Sequence, residues 1–268
     1  MTMMTIKKTN NEVSRRSLIL LAATLPVFGS AFITNTEGVY YSLSANVIVA
    51  CIVCYFTDRV LFPTVIFFCL VVISKPLNVM FAQALGFSFA GAYYFIPCAV
   101  FAFLLAVTSW KKTITWWRKD EFDSVSLWMI FLLAIASAIA LYVWFKYHPE
   151  SSAFISQLPD GPWYTILSGG VAFAGVNAMI EEFLSRGMLC NGLEKIFTSR
   201  VLIIVIQSTF FGCLHYSGFP GGVTGIVMVF VWSFALGVIR YRTLGLGGVM
   251  ISHFFSDLTI YVLLYSLK

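Results

Sequence analysis

Long, uninterrupted apolar runs recur along this chain, and they restrict its fold more than any other feature. A helix crossing the hydrocarbon core of a bilayer needs about 20 mostly apolar residues, with a range of about 17 to 25. Runs of that kind occupy approximately 17–34, 40–57, 60–74, 77–109, 126–147, 163–185, 200–217, 221–239 and 245–267. They are continuous rather than alternating with polar residues, so a transmembrane barrel does not fit. A soluble fold fails on composition: 59% of the 268 residues are hydrophobic and 11% are charged, against about 25% charged in a soluble domain. In lipid the backbone must satisfy its own hydrogen bonds, which leaves helices. The sequence predicts an all-α, polytopic transmembrane bundle of eight or nine helices. The count turns on 77–109, too long for one simple span, where Pro97 and several glycines predict a broken helix or a short interfacial piece.

The net charge of +5 is not a nucleic-acid signal, because the basic residues stand between apolar runs and act there as orientation markers. The clusters are Lys111, Lys112, Arg118 and Lys119, then Arg186, Lys195 and Arg200, then Arg240 and Arg242. The linker 148–162, with Pro149, Glu150, Asp160 and Pro162, carries no Lys or Arg. With the N-terminus inside and one span in 77–109, every basic cluster falls on the cytoplasmic side. Ser14-Arg15-Arg16-Ser17 faintly resembles a twin-arginine export signal, but another span follows. Lys7, Lys8, Arg15 and Arg16 are therefore expected to hold the N-terminus inside while the first helix stays as an anchor. Cys51, Cys54, Cys69, Cys98, Cys190 and Cys213 are scattered and mostly inside apolar runs, which marks them as small packing residues. Few loops and no export or retention signal point to a bacterial inner (plasma) membrane.

A composition shift occurs at 148–162. Before it the spans are almost free of ionisable groups, and after it nearly every span carries one. Residues 1–147 are read as N-terminal transmembrane scaffold helices and 163–268 as a catalytic core of four transmembrane helices. Ionisable residues within spans are functional by default, because the bilayer makes them costly.

In Glu181-Glu182-Phe183-Leu184-Ser185-Arg186-Gly187, Glu182 and Arg186 are four apart and share a helix face. Glu181 points about 100° away from Glu182 and is free for another task. Phe211-Gly212-Cys213-Leu214-His215 closes an apolar run with a histidine. His253-Phe254-Phe255-Ser256-Asp257 places His253 and Asp257 on one face, where the carboxylate could orient the imidazole. Each motif also has a plain structural reading: a solvated helix end, a capping histidine, a hydrogen-bonded pair between helices. Glu181 lies 17 residues before Thr198 and His215 lies 17 after it. The two are level if the turn between the helices is there. That conflicts with a membrane boundary at Arg186, unless the hairpin 187–200 is itself embedded.

The ordered trio Glu-Glu-x-x-x-Arg-Gly, Phe-x-x-x-His and His-x-x-x-Asp, over about 163–268, resembles the CPBP family. This family comprises the type II CAAX prenyl endopeptidases and the bacteriocin-processing or immunity-associated Abi membrane proteins. The resemblance implies an intramembrane protease in which Glu181 and His215 activate a water, while His253 and Asp257 stabilise the oxyanion or hold the site. Glu182, Arg186 and Phe211 then support it structurally. Asp257 stands where many members carry Asn, and an ionised Asp cannot donate a hydrogen bond. Ser185 replaces a frequent aromatic residue.

Zinc is the alternative to Glu/His catalysis, bound by His215 and His253 with Glu181 or Asp257, as in a metalloprotease. The H-E-x-x-H helix of ordinary zinc proteases is absent. The expected partners are membrane lipid and a peptide or membrane-anchored protein substrate, with no nucleic acid. The competing functions are a non-proteolytic scaffold or immunity protein of the same fold, and a transporter using these residues as a proton relay. The second lacks matching broken helices in its other half.

Overall fold

Among the described residues, helices form along the apolar runs, and the differences lie at their ends. The computed structural model describes residues 10–29, 37–84, 94–116, 118–148 and 160–266, together with 155, 158 and 268. The helices are α1 (Asn10–Gly29), α2 (Glu37–Thr57), α3 (Phe62–Ala84), α4 (Phe95–Val107), α5 (Ser124–Tyr147), α6 (Trp163–Glu182), α7 (Cys190–Glu194), α8 (Arg200–Leu214), α9 (Gly222–Thr243) and α10 (Gly247–Tyr265). A π-helical segment, Phe183–Leu189, joins α6 to α7 into one continuous helix, Trp163–Glu194. No strand occurs among the described residues. Among the described residues, five helices are long and apolar enough to cross a membrane: Ser124–Tyr147, Trp163–Glu194, Arg200–Ser217, Gly222–Thr243 and Gly247–Tyr265.

Three expectations need correction. The break expected between 74 and 77 is absent, because α3 continues through Pro76 to Ala84. The run 77–109 is divided between two helices as expected, α3 ending at Ala84 and α4 starting at Phe95, but the division is not at Pro97. Pro97 lies in the first turn of α4, where a missing N–H costs no intrahelical bond. The span expected to stop at 185 runs on to Glu194, so Arg186 is inside the bundle and drops out of the charges that orient the loops. Residues 187–193 are accordingly buried within the bundle. Lys7, Lys8, Pro149 and Glu150 lie outside the described residues.

Packing follows two groupings. α1, α2 and α3 pack on one another and α4 packs on α3, while α10 lies against α5, α6 and α9, and α8 against α9. An aromatic seam ties the groups together. Phe183, the first residue of the π segment, meets Phe67 of α3 at 5.5 Å between ring centroids, Phe101 of α4 at 6.2 Å and Trp116 at 5.1 Å. Such packing carries the association of helices in lipid, where apolar burial alone gives little preference.

The two ends of the bundle differ chemically. At one end Arg16 pairs with Asp58 and donates to the Lys195 carbonyl at 3.1 Å. Arg242 pairs there with Asp123, and Arg118 donates to the Leu244 carbonyl at 3.0 Å. At the other end Lys268 pairs with Asp160 at 2.7 Å. The loops that the basic clusters assign to one side of the membrane therefore do meet.

Candidate active site

The site grows from the last turns of α6. Asn177, Glu181 and Ser185 follow one another at four-residue spacing along one face, and Glu182 lies on the next. Ser185 donates to the Glu181 carbonyl at 2.6 Å. Its hydroxyl also accepts from Arg186 Nη1 at 3.2 Å, a role an aromatic residue there could not fill.

Arg186 is fully buried, and so is its partner Glu182: Nη1 donates to Glu182 Oε1 at 2.7 Å. The other end of the guanidinium donates to the Ser233 hydroxyl at 2.7 Å and the Ser233 carbonyl at 3.3 Å. Gln207 Nε2 donates to the same hydroxyl at 3.1 Å. The guanidinium lies over the Phe211 ring, 4.5 Å from its centroid. A charge taken out of water needs this many partners, because losing one leaves the other uncompensated.

Glu182 Oε1 is shared. It also receives His253 Nδ1 at 2.7 Å, which brings the middle of α10 against α6. Since a carboxylate here accepts, Nδ1 carries a proton. The other ring nitrogen, Nε2, faces Asp257 Oδ1 at 3.5 Å and Glu181 Oε2 at 3.7 Å. Trp232 packs edge-on to the imidazole, with centroids 4.7 Å apart. The carboxylate that orients His253 most closely is therefore Glu182, which the helix spacing assigned to Arg186 alone. That pairing depends on how two distant helices pack, and no local spacing reveals it.

His215 caps the C-terminus of α8, and its Nδ1 donates to the Phe211 carbonyl at 3.1 Å. A carbonyl only accepts, so in the neutral ring Nε2 keeps its lone pair. Phe211 lies between the two histidines, 4.9 Å from the His215 ring and 6.3 Å from that of His253. Among the described residues no hydrogen bond or ion pair joins Glu181 to His215 directly, and both lie within electrostatic reach of His253 and Asp257. Glu181 is 13 residues from the end of its helix at Glu194, and His215 is 15 from Arg200. At about 1.5 Å per residue the two are level to within a turn.

Access grades across the cluster. The Glu181 side chain is 21% exposed, against 4% for His253, 7% for Asp257 and none for Glu182. Glu181 Oε2 also has no hydrogen-bond donor among the described residues.

His253 Nδ1 is held by Glu182 and His215 Nδ1 by a carbonyl, which leaves both Nε2 atoms open, the outer contacts that a zinc-ligating histidine also makes. No group of three or more His, Cys, Asp or Glu side chains is gathered at ligand spacing among the described residues.

Residues 162–259 match the family described as type II CAAX prenyl endopeptidase Rce1-like. This part of the chain is similar to the Rce1-like family. The match supports a CAAX-type intramembrane protease at family level, and with the apolar helices it supports an integral membrane protein. No curated protein and no solved structure matches the chain. The Rce1-like segment holds every residue of the cluster, from Asn177 to Asp257. Motif reading missed Asn177, Gln207, Trp232 and Ser233 because it searched for ionisable groups. A wider signal, polar side chains inside apolar spans, would have found Asn177, Gln207 and Ser233.

Proposed function

We propose that this protein is an intramembrane endopeptidase that hydrolyses a peptide bond in a membrane-associated peptide or protein, with Glu181 and His215 activating the water. The observation that carries this is the position of Glu181. Its side chain is the most exposed of three carboxylates around one imidazole, and its Oε2, itself buried, accepts no hydrogen bond among the described residues. A water held between Glu181 Oε2 and His215 Nε2 loses a proton to Glu181 as its oxygen bonds to the peptide carbonyl carbon. The carbonyl oxygen becomes an oxyanion, which the Nε2–H of a protonated His253 stabilises, with Glu182 and Asp257 holding that ring. Collapse breaks the C–N bond, and the proton on Glu181 passes to the leaving amine.

Purified protein in detergent, given a quenched-fluorescent peptide attached to a lipid or isoprenoid, tests the reading. Glu181→Gln and His215→Ala are each expected to lose about 10²- to 10⁴-fold in kcat/KM, the usual contribution of a positioned acid–base group. Full retention of hydrolysis by both variants would sink the proposal. No step uses a metal, so 1,10-phenanthroline is expected to leave the rate unchanged. Loss of activity restored by added zinc would replace this mechanism with a metal-dependent one.

A further inference from the structure

Two carboxylates face the same nitrogen of His253, and something must keep them apart and aimed. Glu181 comes from α6 and Asp257 from α10, at 3.7 and 3.5 Å from Nε2. Two carboxylates turned towards one nitrogen repel each other. We propose that Asn177 is the positioning residue that sets this pair, by clamping Asp257 to α6 one turn before Glu181. The inference rests on the peptidase reading.

Asn177 Nδ2 donates to Asp257 Oδ2 at 3.1 Å, across the seam between α6 and α10. Asp257 thus has one oxygen on Asn177 and the other towards His253, which fixes the plane of its carboxylate. Asn177 is four residues before Glu181 on the same helix face, and its side chain is within reach of the Glu181 carboxylate as well. It is 8% exposed, so water does not readily replace its amide. The chemistry suits the place. A carboxylate at 257 can only accept, and a primary amide supplies two N–H donors without adding charge to a cluster that already holds three acids. A lysine or arginine would pair with the acids and remove the free oxygen from Glu181.

The test uses full-length protein in detergent, with kcat, KM, the pH–rate profile and thermal melting measured for each form. Asn177→Leu keeps the volume and removes the donor. It is expected to lower kcat by about 10- to 100-fold, the scale of a displaced catalytic group, with KM within about two-fold and a displaced pH–rate profile. Asn177→Asp adds an acid and is expected to be worse. The exchange N177D/D257N rebuilds an amide–carboxylate pair with its direction reversed, and is expected to recover at least about ten-fold over N177D alone, a coupling of about 1.4 kcal/mol.

A wild-type kcat and pH profile in N177L overturns the proposal. So does a loss confined to melting temperature, or an exchange no better than N177D. If the wild-type protein hydrolyses no more than Glu181→Gln, the peptidase reading has failed and this inference goes with it. If wild type is active and N177L matches it, only the inference has failed.

Discussion

Glu182 shows how one oxygen can organise a site. Its Oε1 receives both Arg186 and His253 at 2.7 Å, so the carboxylate joins a turn of its own helix to the middle of α10. Removing one partner of a buried pair costs about 3–5 kcal/mol, because the remaining charge has nowhere to go. Arg186→Met is accordingly expected to lower the melting temperature in detergent strongly. Arg186→Lys should fall between it and wild type. It keeps the charge on Glu182 but cannot fork to Ser233, since an ammonium lacks the planar donor pair. Equal melting of the Lys and Met forms would show that charge, not the fork, is irrelevant to the fold. The Glu182–Arg186 contact was legible in the sequence because four-residue spacing is a property of the helix itself. The contact of Glu182 with His253 spans 71 residues and was not legible, since it needs the packing of α6 on α10.

At the scale of elements, close approach and capping decide where the catalytic groups end up. α8 passes so near α9 that a Cβ on Gly212 would stand 2.9 Å from the Ile226 carbonyl oxygen, a backbone atom that cannot swing aside. Gly212→Ala is expected to push the two helices apart at a cost of about 1–3 kcal/mol. His215 would move with the end of α8, so activity per folded molecule should fall as well; unchanged melting would count against the tight contact.

Asp120 works from a distance, its carboxylate accepting the Gly247 and Gly248 amides at 3.0 and 3.1 Å and so capping α10, the helix that carries His253. Asp58, between α2 and α3, ties down α1. Burial alone would raise its proton affinity, but hydrogen bonds from Arg16 and from the Leu61 and Val60 amides outweigh this and hold the carboxyl below its ordinary value. The stabilisation is therefore full above the ordinary carboxylate range and is lost as pH falls through the depressed value. Asp58→Asn should melt lower than wild type at neutral pH and converge with it in acid. Parallel pH curves for the two would show that this ion pair does not couple α1 to the bundle. Apolar periodicity marks where helices exist, but it says nothing of remote caps, which is why Asp120 went unnoticed.

For the whole molecule, composition alone decided the fold class, while the grouping of helices had to be seen. The shift in ionisable content at 148–162 suggests a division there, yet α5, on the N-terminal side of it, packs along α9 and α10 and shares a 2.8 Å hydrogen bond between Ser137 and Ser256. Apolar sequence cannot reveal such partners, because lipid and helix faces look alike to it. Orientation is different, since charge records it. Arg16, Arg118 and Arg242 make contacts that gather their loops at one end of the bundle, and Asp160 and Lys268 meet at the other. By the count from the N-terminus, the first end is expected to be cytoplasmic.

In a background without the native cysteines, Lys112→Cys and Asp160→Cys should report opposite sides to a membrane-impermeant maleimide. In sealed right-side-out vesicles only the cysteine at 160 is expected to react, and in inverted vesicles only the one at 112. The same side for both would remove a span from the count. Reversed labelling would leave the bundle intact but turn it over, and would move access to Glu181 and His215 to the opposite leaflet.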